Sequence, residues 1–368
     1  MEELPIGKGN FPLPLIAALG IIKKCAAKVN IDFGLNKTKA EGIMEAANEV
    51  IKGRWKQHFP VSLYQSGTGI QGDMNVNEVV AKRAEEILHL KESICSKEDV
   101  NKNQSSITSF TIAMHISAVL EIDEKLVPAL TLLYEALKEK ANSFQSIVKV
   151  GRMSLQDSFC ITLGQEFAGY ASQIEDGIIR LRSIVPMLLV LPQTQLNSPI
   201  DFLQKLVAEL SKELNYSFRT KDSLTTIACH DPLVELSGVL NSIAVSLMKI
   251  GNDIRFLGSG PCCGLGELRL PENEPGSSIM PGKVNPTQCE ALTMICAQVM
   301  GNHVTVTLGG SGGHFELNAL KPLIIGNVLH SIRLLYDSVN SFTKNCIVDI
   351  QANQENIQEQ LKEVSMAH

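Results

Sequence analysis

One short segment of the chain carries side chains suited to chemistry on a small carboxylate. It runs from Gly276 to Glu290 and reads Gly-Ser-Ser-Ile-Met-Pro-Gly-Lys-Val-Asn-Pro-Thr-Gln-Cys-Glu. Its glycines and prolines prevent regular structure, so we expect a mobile loop ahead of a helix. Lys283 and Asn285 offer donors to a carboxylate, and Ser277 near a cation could lose its proton and act as a base. Spacing alone favours a Gly/Pro loop with incidental polar residues.

A second loop, Ser66-Gly-Thr-Gly69, has the composition of an anion site. Its two glycines would expose backbone N–H groups, and the hydroxyls of Ser66 and Thr68 stand beside them. A simple turn is the competing interpretation. Two histidines that could attract attention, His230 and His314, are better explained as a capping or surface residue and as a structural residue, respectively.

Hydrophobic periodicity predicts long helices around these loops. Asp231 is a good N-cap and Pro232 suits the first helical position. The apolar residues that follow are spaced alternately by three and four: Leu233, Leu236, Leu240, Ile243, Leu247, Ile250 and Ile254. This seam is typical of a helix packed nearly parallel to its neighbours. Further helices are predicted over residues 163–181, over 113–137 with a bend at Pro128, after residue 286, and from about 322 to 342. Five long helices imply a bundle.

The composition fits a helical globular protein. Hydrophobic residues make up 44%, charged residues 20% and aromatic residues 5% of the 368 residues. The net charge of -6 is mild, and no basic stripe suggests nucleic acid. The longest apolar run, residues 184–191, is too short to cross a bilayer, so no membrane partner is expected. The acidic N-terminus resembles neither a secretory signal nor a transit peptide. The nine cysteines contain no CxxC pair, which argues against a metal cluster.

The two loops and the helical pattern together resemble the class II fumarases of the fumarase/aspartase superfamily. The 276–290 segment looks like the superfamily's signature loop, and its Thr-Gln-Cys-Glu ending is similar to fumarases. Similarity extends through 66–78, 101–106, 163–166, 249–261, 264–275 and 313–318. The resemblance implies an all-α fold, a long five-helix bundle with a smaller mixed N-terminal domain. We expect a shortened N-terminal domain over 1–103, the bundle over 104–350, and a remnant of a missing C-terminal domain over 351–368.

The resemblance also implies the residues of the site. Ser277 would take the proton next to a carboxylate, and Lys283 and Asn285 would bind that carboxylate and stabilise the resulting aci-carboxylate. Glu290 would pair with the family's histidine, whose position is held here by Ser154. Further substrate hydroxyls would come from two loops, by way of Ser66, Thr68, Ser105 and Ser106. The reaction is the reversible hydration of fumarate to L-malate, with no metal and no cofactor.

Some substitutions fall on this implied chemistry. The family pattern Gly-Arg-Thr-His is Gly-Arg-Met153-Ser154 here, and Ile107 replaces a polar substrate ligand. Serine does not titrate near neutral pH and cannot copy a histidine. The alternative function is therefore a catalytically inactive fumarase-like paralogue or fragment acting as a structural or oligomer subunit. A lyase with another fumarate-yielding substrate is a weaker alternative. The family implies a homotetramer whose sites draw loops from three chains, and a cytoplasmic or mitochondrial matrix location.

Overall fold

The computed structural model describes residues 6–7, 9–89, 93–193, 199, 201–222, 225–275, 280 and 282–366. The chain divides into two compact units that alternate along the sequence. The first comprises residues 1–121, 184–237 and 302–330, and the second comprises 122–183, 238–301 and 331–368. The sequence analysis instead predicted continuous domains with boundaries at 103 and 350, and these domains stay a prediction.

The fold is predominantly α-helical, as predicted. The described α-helices are α1 (Leu13–Asn30), α2 (Lys37–Ile51), α3 (Ile70–Leu88), α4 (Ser106–Glu121), α5 (Val127–Ser143), α6 (Leu163–Leu188), α7 (Phe202–Leu214), α8 (Thr225–Ala228), α9 (Asp231–Leu257), α10 (Thr287–Ser311), α11 (Lys321–Phe342) and α12 (Gln354–Met366). The strands form three two-stranded sheets: β1 (Val148–Met153) with β2 (Gln156–Thr162), β3 (Val190–Gln193) with β4 (Arg219–Asp222), and β5 (Leu268–Arg269) with β6 (Gln351–Ala352).

The long helices begin and end close to their predicted positions. Helix α9 starts at Asp231, and every apolar residue of its predicted seam is buried. The predicted seam of α6 is buried as well, from Leu163 to Leu181. The helix predicted over 113–137 is divided into α4 and α5 by a π-helical turn, Ile122–Leu126, just before Pro128. Proline lacks the N–H that would continue the regular ladder, which explains why the break lies there.

In the first unit, α1 packs against α2, α4 and α7, and α3 packs against α2 and α4. The portions of α9, α10 and α11 in this unit are linked in turn, because Ser237 contacts His303 and Asn302 contacts His330. In the second unit, Tyr170 of α6 donates a hydrogen bond to Asp253 of α9, and a Cβ at Gly251 of α9 would touch Leu292 of α10. The close approach at Gly251 lets α9 and α10 pack tightly.

Two segments form structure that the sequence analysis did not indicate. Residues 351–366 begin with β6 and continue into α12, because Ile357 is buried and β6 pairs with β5 far away in sequence. The segment that follows α6 begins with β3, which pairs in parallel with β4. Its residues 194–198 lie outside the described part of the chain.

Two helices, α9 and α10, meet the length and composition of a membrane span. Core helices of soluble proteins pass the same test, and the buried seam of α9 is of that kind. In the residues that the structure describes, the nine cysteines form no disulfide, and no group of three or more His, Cys, Asp and Glu side chains is arranged to hold a metal.

Candidate active site

The loop from Ser66 to Gly69 is held tightly in the first unit, directly before α3. The hydroxyl oxygens of Ser66 and Thr68 are 3.5 Å apart, and both residues are half-buried. A Cβ at Gly67 would lie 1.7 Å from the carbonyl oxygen of Ala319, so only glycine fits at this contact. Gly69 has a φ of +79° and caps α3. The positive dipole end of α3 favours an anion at this loop.

The second hydroxyl-bearing loop leads into α4. Ser106 is the first residue of that helix, and the carbonyl oxygen of Ser105 accepts from the N–H of Ser109 at 2.8 Å. Ser105 is exposed and Ser106 is half-buried. Phe110, one turn into α4, packs against Gly69, where a Cβ would meet its ring at 2.4 Å. The structure therefore brings the two predicted substrate loops of the first unit to the same end of α4.

A buried ion pair braces the same two loops. The Lys23 ammonium contacts Asp73 at 2.8 Å, and both side chains are fully buried. Asp73 lies in the first turn of α3, four residues after Gly69. The Lys23 ammonium also donates to Asn101 at 2.8 Å and to Gln104 at 3.1 Å, just ahead of Ser105. Burial lowers the pKa of Lys23, and the Asp73 charge opposes that effect. Lys23 thus positions the chain on either side of the candidate site.

Lys321, a residue that the sequence did not single out, lies behind the Ser66–Gly69 loop. Its backbone N–H donates to the carbonyl oxygen of Gly67 at 3.1 Å. Its fully buried ammonium donates to Thr111 of α4, to the Ile227 carbonyl and to His230. The expectation that His230 is a surface residue is wrong, since its side chain is fully buried, although its carbonyl does cap α9.

The second unit carries the Ser154 position at the tip of a hairpin. Strands β1 and β2 are joined by the two residues Ser154 and Leu155, which have φ values of 54° and 63°. Two successive positive φ values are the geometry of a two-residue hairpin turn. Ser154 and the neighbouring Met153 are exposed.

Buried charges fix this hairpin within its unit. Glu267 is buried and contacts the Lys149 ammonium at 2.6 Å and the Arg152 guanidinium at 2.5 Å. Arg152 also donates to Gln360 of α12 at 3.0 Å. Because Arg152 lies two residues before Ser154, this network sets the position of the turn. Nothing in the spacing of these residues predicted it, since the partners are separated by more than a hundred positions.

The described residues of the signature segment, 280 and 282–290, belong to the second unit, and the last of them form the first turn of α10. Lys283 is exposed, and the Asn285 amide donates to Glu274 at 2.9 Å. Glu290 is exposed in the first turn of α10. Among the described residues, no hydrogen bond joins Ser154, Lys283 and Glu290 to one another. Ser277 lies outside the described residues, so its predicted role stays a prediction.

A helical fold with buried seams and two hydroxyl-bearing loops is the arrangement expected for a lyase of the fumarase/aspartase class. A family model described as a lyase matches residues 7–301. Fumarate hydratase 2 of Arabidopsis thaliana is 54% identical, and the match covers 100% of this chain and 76% of the relative. Mitochondrial fumarate hydratase of Homo sapiens is 52% identical, with 97% of this chain and 72% of the relative covered.

Solved structures agree with the sequence matches. The crystal structure of class II fumarase from Schistosoma mansoni superposes with a TM-score of 0.91 at 38% identity, covering 98% of this chain and 82% of that one. The chain belongs to the fumarate hydratase family of carbon–oxygen lyases. The predicted family and fold are thereby confirmed.

Proposed function

We propose that the chain catalyses the reversible hydration of fumarate to L-malate. Membership of the fumarate hydratase family along the whole chain is the observation that carries this proposal. The clamped loop at the start of α3 supports it, because that loop joins a helix N-terminus and two hydroxyls in one place. Such a place suits one end of a dicarboxylate.

In the malate-to-fumarate direction, the reaction starts by removing a proton from the carbon next to a carboxylate. Ser277 as its alkoxide takes this proton, and the electron pair left behind spreads into the carboxylate to give an aci-carboxylate. Lys283 and Asn285 stabilise the added charge, which in a dry site is usually the largest catalytic contribution. The Asn285 amide must exchange its bond to Glu274 for one to the substrate.

The second step expels the hydroxyl group. The aci-carboxylate electrons form the new carbon–carbon double bond, the carbon–oxygen bond breaks, and the leaving hydroxide is protonated to water. Glu290 and the residue at position 154 are the groups proposed to take part in this second step. Ser66, Thr68, Ser105 and Ser106 hold the carboxylates in place during both steps.

The proposed site needs more than one copy of the chain, and we infer a homotetramer. Exposed apolar side chains on two long helices support association, since large exposed apolar patches mark interaction surfaces. They are Val245 and Phe256 on α9 and Met294, Val304 and Leu308 on α10. Light scattering on the purified protein tests the inference, and a monomer would contradict it. A cytoplasmic or mitochondrial matrix location is consistent with relatives named as mitochondrial, and cell fractionation tests it.

The decisive experiment is a direct assay of the purified oligomer. Incubation with L-malate is expected to raise the ultraviolet absorbance of fumarate, and addition of fumarate alone should give malate. Replacing the proposed base, Ser277→Ala, should lower the rate on the order of a hundredfold or more. The neighbouring Ser278→Ala is the matched control and should retain most activity. An assembled oligomer with no malate-dependent absorbance would overturn the proposal in favour of an inactive fumarase-like paralogue.

A further inference from the structure

The first unit contains a buried ammonium group without a carboxylate partner. Lys321 has an exposed fraction of 0% and its ammonium donates three hydrogen bonds. The acceptors are the Thr111 hydroxyl at 3.2 Å, the Ile227 carbonyl at 2.6 Å and the His230 Nε2 at 3.0 Å. All three are neutral acceptors, and within the described part of the chain no Asp or Glu forms an ion pair with Lys321.

The imidazole of His230 is part of the same cluster. Because its Nε2 accepts from an ammonium, the proton must lie on Nδ1. This Nδ1 is buried and has no hydrogen-bond partner among the described residues. A cation and an imidazole proton are thus buried together with nothing negative described beside them, an arrangement that ordinarily destabilises a fold.

The position of this cluster explains why the chain would keep it. The Lys321 N–H holds the Gly67 carbonyl at 3.1 Å, and its ammonium holds Thr111 of α4. Phe110, the neighbour of Thr111, packs on Gly69. The Ser66–Gly69 loop therefore contacts both Lys321 and helix α4, and the buried ammonium also binds helix α4. Because protein atoms rather than water surround the ammonium, its electric field is screened less than that of an exposed lysine.

We propose that Lys321 is a positioning residue whose backbone N–H holds the Ser66–Gly69 loop and whose buried, uncompensated charge strengthens binding of the substrate carboxylate there. This inference rests on the proposed function, because it concerns the same dicarboxylate. Lys321 does not touch the substrate. It acts through the loop geometry and through the electric field at the loop.

The charge of this cluster depends on pH near neutrality. The groups that face Lys321 are His230 at the start of α9, His115 and Thr111 on α4, and the Ile227 carbonyl of α8. Burial lowers the pKa of His115, and burial followed by the Lys321 charge lowers the pKa of His230 to about 2. Burial lowers the pKa of Lys321 to about 7. Burial therefore favours the neutral form of both imidazoles, and the Lys321 ammonium changes charge near neutral pH.

The direction of the effect follows from these states. The Lys321 ammonium is charged below about pH 7 and loses its charge above it. Malate keeps both carboxylates ionised throughout this range, since carboxyl groups titrate near pH 4. Affinity for malate should therefore fall as pH rises through neutrality, and bound malate should in turn raise the pKa of Lys321.

Calorimetric binding of L-malate to the Ser277→Ala oligomer tests the proposal without turnover. Lys321→Met is expected to weaken binding about tenfold or more at about pH 6 and to abolish the pH dependence. Lys321→Arg, whose charge does not titrate, should bind at about pH 8 as tightly as at about pH 6. Ile324→Ala, a core truncation one turn along α11, is the control for general destabilisation and should keep the pH dependence.

Each outcome separates the inference from the function on which it rests. If the Ser277→Ala parent does not bind malate at all, the proposed function fails. If the parent binds but Lys321→Met binds equally well with the same pH dependence, only the role of Lys321 is overturned. If Lys321→Met does not fold, the malate affinity of the Ser277→Ala parent is measured across pH instead. An affinity that stays constant between about pH 6 and about pH 8 would overturn the inference.

Discussion

Replacing Gly67 by alanine adds one methyl group at the tightest contact of the Ser66–Gly69 loop. The new Cβ would lie 1.7 Å from the Ala319 carbonyl oxygen and 2.7 Å from its carbon. Real Cβ atoms essentially never approach below 3.0 Å, so the loop and the carbonyl must separate by about 1.3 Å. A backbone carbonyl cannot rotate away as a side chain can. The hydrogen bond from Lys321 N–H to Gly67 links the same two segments and resists the shift.

The magnitude follows from that displacement. Overpacking of a well-filled site costs about 1–3 kcal/mol in the free energy of unfolding. A displacement of about 1 Å in groups that position a substrate lowers the rate on the order of a hundredfold. We therefore expect Gly67→Ala to lose about a hundredfold in kcat/KM for malate. Denaturant unfolding and the fumarate absorbance assay measure the two effects.

Gly169 provides a matched control for the same chemical change. It lies within α6, and a Cβ there would meet nothing within 4 Å. Alanine favours a helix over glycine, so Gly169→Ala should stabilise the protein by about 0.5–1 kcal/mol and leave activity unchanged. A Gly67→Ala enzyme with activity within about twofold of the parent would refute the claim that this contact positions the loop.

Two further predictions concern the brace and the hairpin. Lys23→Met should lower the free energy of unfolding by about 3–5 kcal/mol, because it leaves the buried Asp73 carboxylate without its cation. A urea titration that finds less than about 1 kcal/mol would show that the pair is not the brace described. Ser154→His should raise malate dehydration by about a hundredfold if position 154 contributes a proton-transfer group, and histidine tolerates the positive φ there. An unchanged rate would separate position 154 from the chemistry.

The helices could largely be predicted from the sequence because their signals are local. Asp231, Pro232 and the apolar seam that follows all lie within one stretch of chain, and α9 begins there, with His230 rather than Asp231 as its N-cap. The break before Pro128 was visible for the same reason. The hydroxyls of the candidate site were also proposed from their motifs, and their roles stay a prediction. The family resemblance, rather than spacing, gave them roles.

Tertiary structure alone decided which residues support those hydroxyls. Lys23 and Lys321 look like ordinary surface lysines in the sequence, and both are completely buried. The residues that bury Lys321, at 111, 227 and 230, lie up to 210 positions from it. Likewise, β6 forms only because β5, more than eighty residues earlier, offers it an edge. Helical periodicity depends on residues that are close together in the sequence, so it can be recognised from the sequence alone. A lysine's burial depends on which distant segments pack around it, and only the folded chain determines that.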